Sequence, residues 1–125
     1  MTEAEDIKDF LISNNFFVDY EHGDDFLNKD ANKAVGFFND DGGFDRFFNG
    51  GKDESRLVYI RAISYSPLEC LQDCEDAADF LDLNTFQTAF HDYVHITVDS
   101  RPQIESLDED RKIYYFNINI IRRKR

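Results

Sequence analysis

The chain is poor in the features that usually announce a chemistry. Its 125 residues hold two cysteines, Cys70 and Cys74, too few for a disulfide framework, and a reducing compartment suits such a chain. Cations are scarce: 14 Lys and Arg stand against 26 Asp and Glu, a formal charge of −12 that opposes binding to nucleic-acid phosphates over most of the surface. No stretch approaches the roughly 18 consecutive apolar residues of a membrane span, and the start is acidic rather than signal-like, so a soluble cytoplasmic protein with no membrane contact is expected. G-x-S-x-G, P-loop and G-x-G-x-x-G motifs are missing, as are internal repeats.

What is present is aromatic and apolar. The hydrophobic share is 42%, with 13 Phe and 6 Tyr, which excludes a disordered acidic segment. The length suits one domain with its own core. The last four residues, Arg122, Arg123, Lys124 and Arg125, are all basic; without them 10 basic residues face 26 acidic ones. An acidic body over 1–121 with a basic C-terminal tail over 122–125 is the expected organisation.

The pattern along the chain alternates helix and strand signals. Thr2-Glu3-Ala4-Glu5 is a capping box, followed by an apolar stripe of Ile7, Phe10 and Leu11 and by the helix-stopping Asn14-Asn15. Phe16–Tyr20 and Val35–Phe38 read as short strands. Phe44, Phe47 and Phe48 lie between turn clusters, either as a satellite of the core or as an exposed oligomer or partner contact. Leu57–Ser64 is a strong strand with Val58, Ile60 and Ala62 on one face. Ser66-Pro67-Leu68-Glu69 combines an N-cap, a first-turn proline and a capping-box glutamate. The helix it opens lines up Cys70, Leu71, Cys74, Ala77, Ala78 and Leu81.

Beyond that helix, Tyr93–Asp99 alternates with Val94, Ile96 and Val98 inward, and 104–112 reads as an acidic connection. In Ile113–Ile121, Tyr114, Phe116, Ile118 and Ile120 face the core while Tyr115, Asn117 and Asn119 face away. The expected fold is α+β, a mostly antiparallel sheet of four to five strands with two helices packed on one face.

Nothing in this pattern assembles a catalytic or metal centre. Cys70 and Cys74 sit inside the apolar arc of their helix, where free cysteines pack. His91 and His95 are four apart on a strand, about 13 Å, too far for one ion. His22 stands alone, and carboxylates are too numerous for any pair to signal catalysis. Asn39–Gly43 resembles the opening of a calcium loop, but Gly50 occupies the position that needs glutamate. No cofactor, metal or enzymatic activity is expected. The basic tail is either a solvated terminus or an electrostatic dock for a neighbouring copy or for DNA phosphates.

The second half resembles a known family. Arg56–Ser66 entering an amphipathic helix, Val94-His95-Ile96-Thr97, Arg101-Pro102-Gln103-Ile104, the acidic turn Asp108-Glu109-Asp110-Arg111 and the aromatic strand Ile113–Ile121 are similar, in this order, to the tail-terminator or minor-capsid (tail-completion) proteins of long-tailed bacteriophages. Asp110 stands where that family has a glycine. The resemblance covers about 56–123 and is only general before that. It implies a structural protein of the virion tail, assembled in the host cytoplasm. Its copies form a ring, usually six-fold, that ends tail-tube polymerisation and offers the head-joining surface. Partners would be further copies, a tail-tube protein and a head-completion or connector protein, with DNA passing through an acidic lumen. Ring closure needs two different patches per subunit. Phe44, Phe47 and Phe48 form one candidate; Tyr115, Asn117 and Asn119 with Arg122, Arg123, Lys124 and Arg125 form the other. The alternative is a small acidic inhibitor or DNA mimic, similar to nuclease immunity proteins, which would occupy a basic cleft.

Overall fold

The two longest strands pair over almost their full length and set the frame for everything else. The computed structural model describes residues 2–39, 46–48, 53–99, 101–106 and 111–125, with 46–48 and 106 described by their backbone. The elements are α1 (Glu3–Ser13), β1 (Glu21–Asp24), β2 (Lys33–Asn39), β3 (Arg46–Phe48), β4 (Asp53–Ser64), α2 (Pro67–Leu81), β5 (Phe86–Gln87), β6 (His91–Val98), β7 (Gln103–Ser106) and β8 (Lys112–Lys124). β4 and β8 run antiparallel from Asp53 opposite Arg123 to Ser64 opposite Lys112. The strand order is β1-β2-β4-β8-β6-β5, with β3 beside β4 and β7 beside β8.

The fold is α+β, and the sheet is larger and more mixed than its sequence pattern suggests. Eight strands are present among the described residues rather than four or five, and β1 runs parallel to β2. The extra strands β1, β3, β5 and β7 are two to four residues long. They carry little periodic signal of their own, and they are strands because longer strands offer them backbone partners: β4 and β8 for β3 and β7, β2 and β6 for β1 and β5. Residues 104–106 accordingly belong to β7 and not to a connection.

Period-two alternation decides what each face carries. Val58, Ile60 and Ala62 of β4 and Tyr114, Phe116, Ile118 and Ile120 of β8 are buried against α1 and α2 in one cluster with Ile7, Leu11, Cys70, Cys74, Ala77 and Leu81. In β1–β2 the opposite face is closed by the crossover 25–32. Its Leu27 packs on Ala34, Ile63 and Ile113. Arg111 holds this crossover, donating to the carbonyls of Lys29 at 2.7 Å and Ala31 at 2.5 Å while its guanidinium lies 4.5 Å from the Tyr65 ring centre.

Local signals are honoured unevenly. The Thr2–Glu5 capping box forms, and α1 ends at Asn14 with Asn15 at φ 68°. Phe16–Tyr20 is not a strand: Phe17 has φ 56°, the Phe16 N–H returns to the Leu11 carbonyl, and Phe16 packs on the Phe80 ring. Ser66 starts α2 without a side-chain cap, and Glu69 instead accepts a hydrogen bond from Lys33 at 2.7 Å. A register shift between Tyr93 and His95 reverses the expected faces at the start of β6, so Tyr93 is 1% exposed in the core and Val94 is 38% exposed outside, while Ile96 is buried and Val98 packs on the core as expected.

One close approach depends on glycine. Gly23 and Gly36 are register partners across β1–β2, and a β-carbon would lie 2.1 Å and 2.5 Å, respectively, from the Phe26 carbonyl oxygen. Gly23→Ala and Gly36→Ala should each cost about 1–3 kcal/mol in urea unfolding. The double variant should cost less than their sum, because displacing one carbonyl relieves both contacts.

Candidate interaction surface

The basic end of the chain, expected to be a separate tail, continues β8 through Lys124. Strand parity then sorts its side chains. Arg122 shares the parity of Ile118 and Ile120 and points to the helix side, where it is buried. There it meets Glu54 Oε1 through Nε at 2.8 Å and Glu3 Oε1 through Nη2 at 3.2 Å. Arg56 reaches the same two carboxylates, Glu3 at 3.0 Å and Glu54 at 3.2 Å. Two arginines and two glutamates thus alternate around a closed square that ties α1, β4 and β8 together. Arg123, of opposite parity, pairs with Asp53 at 2.6 Å on the other face. Arg125 donates its backbone N–H to the Phe90 carbonyl at 2.9 Å, donates a guanidinium hydrogen bond to the Thr88 carbonyl at 3.1 Å, and lies 3.4 Å from Asp92.

The square is electrostatically tight. Burial alone would push the Glu54 carboxyl up, but Arg122 and Arg56 outweigh it and hold Glu54 below its ordinary value of 4.5. Arg122 is affected the same way: burial opposes its charge, yet the Tyr93 hydroxyl, Glu3 and Glu54 raise its pKa. Beside it, burial and the hydrogen bond to Asp6 push the Tyr93 phenol up. Burial, then Arg122, lowers His91 below 6.5.

On the sheet face away from the helices, the central ladder presents half-buried Leu57, Tyr59 and Arg61 from β4 and Tyr115, Asn117, Asn119 and Ile121 from β8. Leu57 stands opposite Asn119, Tyr59 opposite Asn117 and Arg61 opposite Tyr115. Tyr115 donates to Gln103 at 3.0 Å, Asn119 to Asp99, and Arg61 to Glu105 at 2.7 Å. Asn117 Oδ1 is buried and has no hydrogen-bond partner among the described residues. Tyr115, Asn117 and Asn119 therefore lie together on one face, whereas Arg122 is drawn away to the other. Of the remaining candidates, Phe47 and Phe48 lie in β3, their backbones paired with Glu54 and Asp53, and Phe44 lies outside the described residues. So do residues 40–43 of the loop resembling a calcium site, and Asp108, Glu109 and Asp110.

The thiols and imidazoles do not converge. Cys70 and Cys74 are buried in the core, where the hydrogen bond to Cys70 and burial push the Cys74 thiol up. His91 and His95 are on a strand, and His22 bonds the Phe17 carbonyl at 2.6 Å. Among the described residues, no group of three or more His, Cys, Asp or Glu could hold a metal ion, and no helix is long and apolar enough to cross a membrane. Grooves of about 240–370 Å³ flank α2 and β5; the one on α2 is walled by Glu75, Asp79, Asp82 and Arg101. Compared with known proteins, the chain matches no family model and no curated protein.

The charged square has a pH signature. A carboxyl depressed in the folded state stabilises fully above its unfolded pKa, and the contribution drains away as pH falls through the folded value. The melting temperature should therefore fall below about pH 4.5, and the fall should be shallower in Glu54→Gln. Arg122→Met, which leaves the buried Glu3 and the half-buried Glu54 with one guanidinium, should cost about 3 kcal/mol at neutral pH in denaturant unfolding.

Proposed function

We propose that the protein is a structural subunit of a phage or prophage tail: a tail terminator that closes into a ring, ends tail-tube growth and offers the surface to which the filled head joins. The observation that carries this reading is the outward face of the β4–β8 ladder. It is broad, half-buried, and built of phenols, amides, two aliphatic side chains and one arginine, with an amide oxygen unpaired among the described residues. Core patches of protein interfaces are built from such side chains, Tyr and Arg being enriched there. A resemblance of residues 56–123 to tail-completion proteins supports the same reading, because strand, helix, strand, proline-containing turn and closing strand follow in that family's order. The partners on this reading are further copies together with a tail-tube protein and a head-completion protein.

The charge distribution suits the role. α2 and its cap carry Glu69, Asp73, Glu75, Asp76, Asp79 and Asp82 with no Lys or Arg between Pro67 and Asp82. Turned toward a channel, that row would keep DNA phosphates from adhering as the genome passes. The same row favours a second reading, an acidic inhibitor or DNA mimic whose carboxylates occupy a basic cleft.

Light scattering and electron microscopy of the full chain separate the two. The ring reading expects a particle of about six copies with a central channel, formed at high protein concentration or on tail tubes, that leaves duplex DNA unbound at physiological salt. A monomer at every concentration, with or without tail tubes, that binds a basic nuclease one to one would replace it with the inhibitor reading.

A further inference from the structure

The sheet has several outer edges, and they are treated differently. Beyond β5, the outer side of β6 is closed by the chain itself: the Leu83 N–H donates to the Ile96 carbonyl at 2.7 Å, and the Val98 N–H to the Asp82 carboxylate at 3.0 Å. The other end of the molecule is a continuous row of five strands. Glu21–Asp24 of β1 lies beside Ala34–Phe37 of β2, which lies beside Ile60–Ile63 of β4. That stretch faces Ile113–Phe116 of β8, which borders Gln103–Ser106 of β7. β1 and β7 are the two ends of this row. Each is four residues long, and neither has a second strand partner among the described residues.

Exposed edges are usually guarded by shortness, by charged side chains (lysine above all), by proline or by a bulge. Of these guards, β1 and β7 have shortness. Neither β1 (Glu-His-Gly-Asp) nor β7 (Gln-Ile-Glu-Ser) contains a lysine or a proline. Their carboxylates are already occupied. Asp24 is paired with Lys8 at 2.7 Å, Glu105 with Arg61 at 2.7 Å, and Glu21 accepts from the Asn28 amide at 3.1 Å. Ile104, at 52% exposure, leaves an apolar side chain on the β7 edge.

Strand directions make the two edges complementary. β1 is parallel to β2, and each later step in the row, β2 to β4, β4 to β8 and β8 to β7, is antiparallel. β7 therefore runs opposite to β1. A second copy related by a rotation about an axis along the strands keeps these directions, so its β1 meets β7 of the first copy antiparallel. We propose that β7 of one copy adds to β1 of the next, running one sheet through neighbouring copies. The inference rests on the ring reading in taking identical copies as the partners. The contact is heterologous, so it repeats until the rotation closes.

The test uses one edge variant on each side. Ile104→Lys places a charge on β7, and His22→Pro removes a backbone donor of β1 that points away from β2, an edge position where proline is tolerated. Melting curves establish that each remains folded. In light scattering against concentration, each alone should weaken association about tenfold or more, through a lost backbone hydrogen bond or a desolvated charge. Mixed in equal amounts, the two should form dimers and nothing larger, because each keeps one intact edge. In the wild type, assembly should slow amide exchange at 21–24 and 103–106. If His22→Pro does not fold, Ile104→Lys titrated into wild type should still shorten the assemblies by capping them. Assembly and exchange unchanged by the variants would overturn the edge pairing while leaving a ring held by another surface. A wild type that is monomeric at all concentrations would also overturn it, and the ring reading would then be decided by microscopy on tail tubes.

Discussion

The antiparallel ladder between β4 and β8 is the constraint from which the rest of the architecture follows. Twelve residue pairs, from Asp53–Arg123 to Ser64–Lys112, lock two strands in one register. Because side chains alternate, that register assigns each residue to the helix side or the outward side, and a slip of one residue would exchange the two sets. Val58, Ile60, Phe116 and Ile118 reach the helices only in this register; Tyr59, Tyr115 and Asn117 are left outside by the same rule. The shorter strands take their places against the ladder's flanks, β2 and β3 on one side, β6 and β7 on the other.

The end of the ladder is where the chain uses its few cations. An arginine that follows a row of apolar residues of the same parity must be buried, and burial of a charge is tolerable only with partners. Glu3, Glu54 and Arg56 supply them from the start of α1 and from β4, so the square joins the first helix to the last strand. Arg123 and Arg125 are likewise engaged, with Asp53 and Asp92. A basic cluster that reads as a free electrostatic arm is thus largely neutralised within its own subunit. The acidic excess remains on the surface, concentrated along α2.

On the proposed reading, this distribution supplies what an assembly component needs. Its outward sheet face offers area and hydrogen-bonding groups, and its row of carboxylates would repel phosphates. Specificity in such a component comes from the shape and register of contacts, which is why strand edges and the parity of single residues carry the argument.

Much of this was legible from local pattern. The Thr2–Glu5 capping box, the Asn14–Asn15 stop, the buried stripe of α2 and the inward faces of β4 and β8 follow from spacing alone, since each is decided within a turn or a strand. The inward course of Arg122 was implicit in the parity of Tyr114–Ile120 but masked by its charge. Other features have no local cause. The bulge that turns Tyr93 inward, the short strands, and the replacement of the Ser66 cap by a Lys33–Glu69 pair depend on partners distant in the chain. The Gly23–Gly36 contact depends on a carbonyl three residues beyond one glycine and ten before the other. Composition and periodicity determined an acidic α+β chain with one apolar face. Tertiary structure decided which charges cancel and which edges stay open, because pairing energies are realised only when separate segments are brought into register.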